Sequence, residues 1–449
     1  METPGGQRRW VPGEPWAHQA LRGLAAALAG VAVLAGGCSS SEPAAVAPPA
    51  ASSPAPPTAD ALARESALSE LLRVRGAAVL ARDRAAFTAT LDDPRSGFGL
   101  RQLELFDSLS RLPLGTFAYG TPEPAPALAA ERAAQVGPDA WVARVSGRYS
   151  LAGYDAGQRS FETHLTVVRR GSGWRLADDS DGGSQPQLWD LPDLTVVRSK
   201  TTLVVGSGPA SRLREYLRLG DEAVTRVSRV WTRPWGSRVV LVVPATAAAM
   251  SRQLGQDAGG VEQVAAVTDG SLGADGRAGA DRVVVNPEAF ARLQPAGRRM
   301  VITHETTHVA VRASTTRPVP LWLSEGMADY VGYGGLGLQR TRVAAELLKR
   351  VRAGQGPKAL PSEGDFDPAA TTIAPSYNAA WLAVSLIADR HGSKELVRFY
   401  TQAATLDSAQ DPPGDPAENT EAAFREVLGT TGSQFTRDWL GYLQALARG

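Results

Sequence analysis

The stretch His304-Glu305-Thr306-Thr307-His308 decides how this chain is read, together with Glu325 seventeen positions further on in Leu323-Ser324-Glu325-Gly326-Met327-Ala328-Asp329-Tyr330. On a helix, residues four apart share a face. His304 and His308 then offer two imidazoles to one metal ion, and Glu305, one step round, reaches a water on that ion. Glu325, on a following helix, supplies a third ligand and leaves the fourth position open. Three protein ligands plus water is the arrangement of a catalytic zinc site, whereas a structural zinc is closed by four. The expected cofactor is Zn2+.

The surroundings fit a buried helix. Met300, Val301, Ile302, Val309 and Val311 flank the motif, and no Gly or Pro occurs from Arg298 to Arg312. Pro318 and Pro320 break the chain before Leu321, where a second helix can begin. The bland alternative is a buried helix carrying two incidental His. The chain has 5 His in 449 residues, so that reading makes Glu325 and Asp329 coincidences as well.

At residues 298–332, and more loosely at 376–391, the chain resembles the gluzincin metallopeptidases, the thermolysin-like and aminopeptidase-like branch. The resemblance implies that His304, His308 and Glu325 are metal ligands and that Glu305 is the general base. It places Asp329, one helical turn after Glu325, as a carboxylate holding a ligand His in the right tautomer. Tyr377, in Ser376-Tyr377-Asn378-Ala379-Ala380-Trp381, looks like the tyrosine that stabilises the transition state in gluzincin aminopeptidases. Its other reading is an ordinary Tyr packed at a helix start. The metzincin pattern is absent, because Val309-Ala310-Val311 lacks the Gly and the third His.

The whole chain bounds the setting. Lys plus Arg number 47 and Asp plus Glu 46, a net charge of +1, which argues against a nucleic-acid partner. Cys38 is the one cysteine. Arg8, Arg9 and Arg22 precede an apolar stretch from Gly23 to Gly37 that is too short to span a bilayer. Its ending, Leu34-Ala35-Gly36-Gly37-Cys38, resembles a bacterial lipobox. The resemblance implies cleavage before Cys38, lipidation of its thiol and an extracytoplasmic, lipid-anchored location. An ordinary secretory signal with an incidental Cys is the alternative. Residues 39–59 are rich in Pro, Ala and Ser and read as an extended tether. At ~3.1 Å per residue it reaches roughly 60 Å.

The expected fold class is α+β, in two domains. Over 60–188, helical patterns through Leu68, Leu72, Leu105 and Leu109 give way to alternation in Trp141–Tyr149 and Phe161–Val167, with a third strand through Trp174 and Leu176. This order resembles an NTF2-like domain, which implies a scaffold or a site for a protein or small ligand. Over 195–449, the runs Thr195–Val205, Val239–Val243, Val264–Val267 and Val283–Val285 read as strands of a small sheet. Val264–Thr268 is the candidate edge strand for extended substrate, and Gly270, Gly273, Gly276 and Gly279 predict a mobile loop between strands. Helices are expected at about 212–231, 338–353, 376–391, 394–404, 420–428 and 433–447.

These features imply a membrane-anchored zinc metallopeptidase acting on a peptide or protein substrate. The alternative is a non-catalytic, zinc-containing envelope lipoprotein that binds partners. Within the enzyme reading, Gly259-Gly260-Val261-Glu262-Gln263 only faintly resembles the amine-binding Gly-x-Met-Glu-Asn segment of gluzincin aminopeptidases. Met and Asn are missing, which favours an endopeptidase.

Overall fold

The run Val239–Val243 lies at the middle of a five-stranded sheet in the computed structural model, buried along its whole length. A strand buried on both faces has no reason to alternate apolar with polar, which is why the run is continuous. The structure describes residues 58–256, 261–367, 373–405 and 415–449. Cys38, the signal-like segment, nearly all of the expected tether, and Gly259 and Gly260 lie outside the described residues.

The fold is α+β. Its first part holds α1 (Ala59–Ala81), α2 (Arg84–Thr88), α3 (Gly97–Arg111), β1 (Leu114–Pro124), α4 (Ala130–Val136), β2 (Trp141–Leu151), β3 (Arg159–Arg170) and β4 (Gly173–Asp178). The four strands form an antiparallel meander in chain order. The second part begins with β5 (Leu194–Arg198), β6 (Thr202–Ser207), α5 (Ala210–Val230), β7 (Val239–Val243), α6 (Ala247–Gln253), β8 (Ala266–Asp269) and β9 (Arg282–Val285). It continues with α7 (Pro287–Ala291), α8 (Pro295–Arg312), α9 (Leu321–Tyr333), α10 (Arg340–Val343), α11 (Ala345–Arg352), α12 (Ala374–His391), α13 (Ser393–Ala403), α14 (Pro416–Leu428) and α15 (Gly432–Arg448). No described helix is long and apolar enough to cross a membrane.

The second sheet runs β5-β6-β7-β9-β8, with β6, β7 and β9 parallel and the flanking strands antiparallel, so β8 is an edge. Its two faces have different partners. Leu241, Val243, Val283 and Val285 enter the core built with α5, α8 and the C-terminal helices. Leu203, Val205, Val240, Val242 and Val284 point the other way, into a core shared with Phe117, Tyr149, Phe161 and Trp189 of the first part. Each aliphatic side chain so buried is worth about 1.5–3 kcal/mol. Leu188 and Trp189, in a 3-10 turn, also enter this shared core.

Polar groups fasten the same junction. Arg282 at the start of β9 donates from both Nη atoms to the two carboxylate oxygens of Asp155, at 2.7 Å each, and the two side chains are 3% and 2% exposed. Arg159 pairs with Asp269 at the end of β8. The backbone nitrogens of Ala156 and Gly157 both donate to Gly279 O at 2.9 Å. The approach is so close that a Cβ on Gly279 would lie 2.8 Å from Gly157 N.

Several expectations are corrected. β1 was not anticipated, because Gly115, Gly120, Pro122 and Pro124 hide its alternation and its pairing with β2 is irregular. The run Thr195–Val205 is two strands, turned at Ser199–Thr201, where both hydroxyls donate to Asp221 Oδ1 at 2.5 Å. The helix expected at 338–353 is broken at Ala344. In the glycine-rich segment 270–280, Ala278 N donates to Arg312 O and Gly273 N to Arg277 O, beside the contact at Gly279.

Candidate metal centre

The His-Glu-Thr-Thr-His stretch lies in α8, which begins with Pro295 at its first turn and is buried for most of its length. The helix places the His304 and His308 rings 4.8 Å apart between centroids, at 75° to each other. Their Nε2 atoms face one another at 3.1 Å. Helix α9 starts at Pro320, which lacks an N–H and whose carbonyl accepts from Leu323 N and Ser324 N. It carries Glu325 to the same point, with Oε2 at 3.3 Å from His304 Nε2 and Oε1 at 3.6 Å from His308 Nε2. The glycine after Glu325 has a steric reason. A Cβ on Gly326 would lie 2.5 Å from Ala380 O, so α12 packs against α9 only because that Cβ is missing.

One turn after Glu325, Asp329 is 2.7 Å from His304 Nδ1. A carboxylate there accepts an Nδ1–H and leaves the Nε2 lone pair turned towards Glu325 and His308. Glu305 is 4% exposed and its Oε2 accepts from the Thr268 hydroxyl at 2.8 Å. Thr268 lies on the edge strand β8, so the sheet margin and the helix meet at this carboxylate.

The electrostatics are those of a buried cluster short of positive charge. Burial raises Glu305 above the usual carboxylate range, against the pull of His304, His308 and Thr268. Burial likewise raises Asp329. Burial opposes the charge on Glu325 too, but the His308 and His304 imidazoles hold its carboxyl well below the usual range. Burial also opposes a charged His304, yet Asp329 and Glu325 hold its imidazole well above its ordinary value. Three buried carboxylates around two imidazoles are costly unless a cation joins them.

The donor set fits zinc. His304, His308 and Glu325 have ligand atoms within 4.8 Å of one another. Tetrahedral zinc with bonds of ~2.0–2.1 Å would set its ligand atoms about 3.3 Å apart, and the observed separations of 3.1, 3.3 and 3.6 Å bracket that value. Glu325 Oε2 is buried and accepts no well-aligned hydrogen bond among the described residues.

Tyr377 lies in the first turn of α12, the helix packed on α9. It is buried, with its ring edge-on to Phe366 at 5.2 Å. His391 ends the same helix before Gly392, whose φ is 86°. The sequence carries no sign of the contact of Thr268 with Glu305 or of the place of Tyr400 beside Ser324. Tyr400, on α13, is buried, and burial raises its phenol above the ordinary value against the opposing influence of Ser324, the neighbour of Glu325. Both contacts join segments distant in the chain, and a lone Thr or Tyr carries no spacing that signals them.

No family model matches this chain, and no curated protein does. Among solved structures, a variant of a two-domain M1 zinc metallopeptidase with L-arginine bound aligns with a TM-score of 0.33 at 13% identity, over 67% of this chain and 61% of that one. The chain therefore spans less than two thirds of that protein's length, and the functional reading rests on the site's own geometry.

Proposed function

We propose that this chain is a zinc-dependent metallopeptidase of the gluzincin type, held outside the cytoplasm by a lipid on Cys38. The observation that carries the reading is the convergence of His304, His308 and Glu325, with Glu305 alongside and Asp329 behind His304. Bound there, zinc would act as a Lewis acid and bring the pKa of a coordinated water to about 7.

The chain's own groups do the rest. Asp329 holds His304 in one tautomer and orientation. Thr268 holds Glu305 Oε2, leaving Oε1 to take a proton from the attacking water and pass it to the leaving nitrogen. The Tyr377 phenol donates to the oxyanion formed on the attacked carbonyl. Burial of Glu305 and Glu325 keeps bulk water away, so these dipoles act in a medium of low dielectric. Glu262 is exposed on the turn before β8. With Met and Asn missing from the segment around it, the sequence supports endopeptidase action. The residue pattern of 60–188 supports an NTF2-like first part.

The test is digestion of a mixed peptide library by the full zinc-loaded chain beside its Glu305→Gln variant, read by mass spectrometry. The variant is expected to keep its zinc and to lose turnover by about 10²–10⁴-fold. Equal product from both would remove Glu305 from the mechanism.

A further inference from the structure

The margin of the five-stranded sheet separates two chemically different spaces. β8 pairs with β9 on one side, and its other side has no strand partner among the described residues. A free edge of this kind pairs readily with an extended peptide. Successive side chains of a strand point to opposite faces. Ala266 and Thr268 face α8 and the metal centre. Val267 and Asp269 face the first part of the chain.

On that second face lies a groove of 1010 Å³ between the two sheets. Val267 and Val284 line one wall, and Arg148, Gln158 and Gln185 line others. Asp269 is in the lining too, but it is held by Arg159. Arg148, exposed on β2, makes no hydrogen bond or ion pair among the described residues. The groove therefore offers an apolar wall, side-chain amides and one uncommitted guanidinium.

We propose that this groove is a specificity site: it receives alternate side chains of an extended peptide paired with β8, and Arg148 selects acidic ones. The peptide's other side chains fall on the metal side, so selection and chemistry act on residues of opposite parity. Two groove-facing residues stand about 6.8 Å apart along the strand, so Arg148 acts on one position of that parity. The first part of the chain then contributes recognition and not scaffolding alone. This inference rests on the peptidase reading for its choice of a peptide as occupant.

The test uses the full zinc-loaded chain carrying Glu305→Gln, with and without Arg148→Glu. The probes are fluorescein-labelled, end-blocked alanine hexapeptides with Glu at alternate positions, or Lys at the same positions. The acidic peptide is expected to bind about tenfold more tightly than the basic one, the gain of a single charge-assisted contact. Arg148→Glu should abolish or reverse that preference while leaving the zinc content unchanged. Equal binding of both peptides, or a preference indifferent to Arg148→Glu, overturns the proposal. So does binding of tetragalacturonate with both peptides ignored. Cleavage by the unsubstituted chain is read separately. If no peptide is cut but Arg148-dependent acidic binding holds, the peptidase reading fails and the groove stands. Cleavage indifferent to acidic residues at every position, with and without Arg148→Glu, overturns the groove and leaves the peptidase reading intact.

Discussion

Asp155→Ala should destabilise the whole molecule, although the residue lies in a turn between β2 and β3, far in sequence from the metal centre. The substitution removes both carboxylate oxygens from Arg282 and the acceptor that Asp155 Oδ2 provides to Leu151 N at 2.7 Å. Arg282 keeps the carbonyls of Ala280 and Asp281, at 3.1 and 3.0 Å, but no counter-charge in a place where its side chain is 3% exposed. Breaking a buried pair from one side costs about 3–5 kcal/mol, because the surviving charge stays out of water. Replacing both members is much milder, since no charge is then stranded. Asp155→Leu with Arg282→Met should recover most of the loss. The assay is urea unfolding followed by tryptophan fluorescence and by circular dichroism, on Asp155→Ala and on the parent, Asp155→Leu, Arg282→Met and the double variant, the last four forming a double-mutant cycle. A single-variant cost below about 1 kcal/mol, or a double variant as unstable as the sum of the singles, would refute the claim that this pair is a desolvated staple.

Other outcomes follow from the metal centre. Asp329→Ala, which frees His304 Nδ1, should weaken zinc affinity by about ten- to a hundredfold in a chelator competition; unchanged affinity would remove Asp329 from that role. Stripping zinc with a chelator should lower the melting midpoint, since a ligand held at 100 times its Kd adds about 2.7 kcal/mol to the native state; a midpoint that ignores the metal would mean that no ion sits among these carboxylates. Gly326→Ala puts a Cβ 2.5 Å from Ala380 O and should cost about 1–3 kcal/mol by overpacking, measured as a lower unfolding midpoint; an unchanged midpoint would show that α9 and α12 can part freely.

The metal centre was legible where its logic is local. His304 and His308 meet because a helix repeats every 3.6 residues, and that period is written in their spacing. Glu325 and Asp329 obey the same rule on the next helix. The edge position expected around Val264–Thr268 was readable because strand runs and their turns are also local, and β8 does lie at the sheet margin. What stayed hidden is long-range. The Thr268 contact to Glu305 crosses 37 positions and the Asp155 contact to Arg282 crosses 127, and neither leaves a periodic mark. β1 was missed because Gly and Pro speak against a strand, and only pairing with β2 overrides them. The loop at 270–280 holds a similar long-range contact: Gly279 lets two backbones touch, and nothing in the spacing of its glycines marks which one does so.

Because the sheet beneath the metal centre has its second face covered by the meander, the two parts are not separable goods in evolution. A chain beginning after Asp190 would bare Leu203, Val205, Val240, Val242 and Val284 as one contiguous aliphatic surface. Such a fragment would be sticky before it was active, and gene rearrangements that cut there would be lost to aggregation. Lineages that carry the His-Glu-Thr-Thr-His helix on this sheet should therefore carry the meander with it, whatever it has come to recognise.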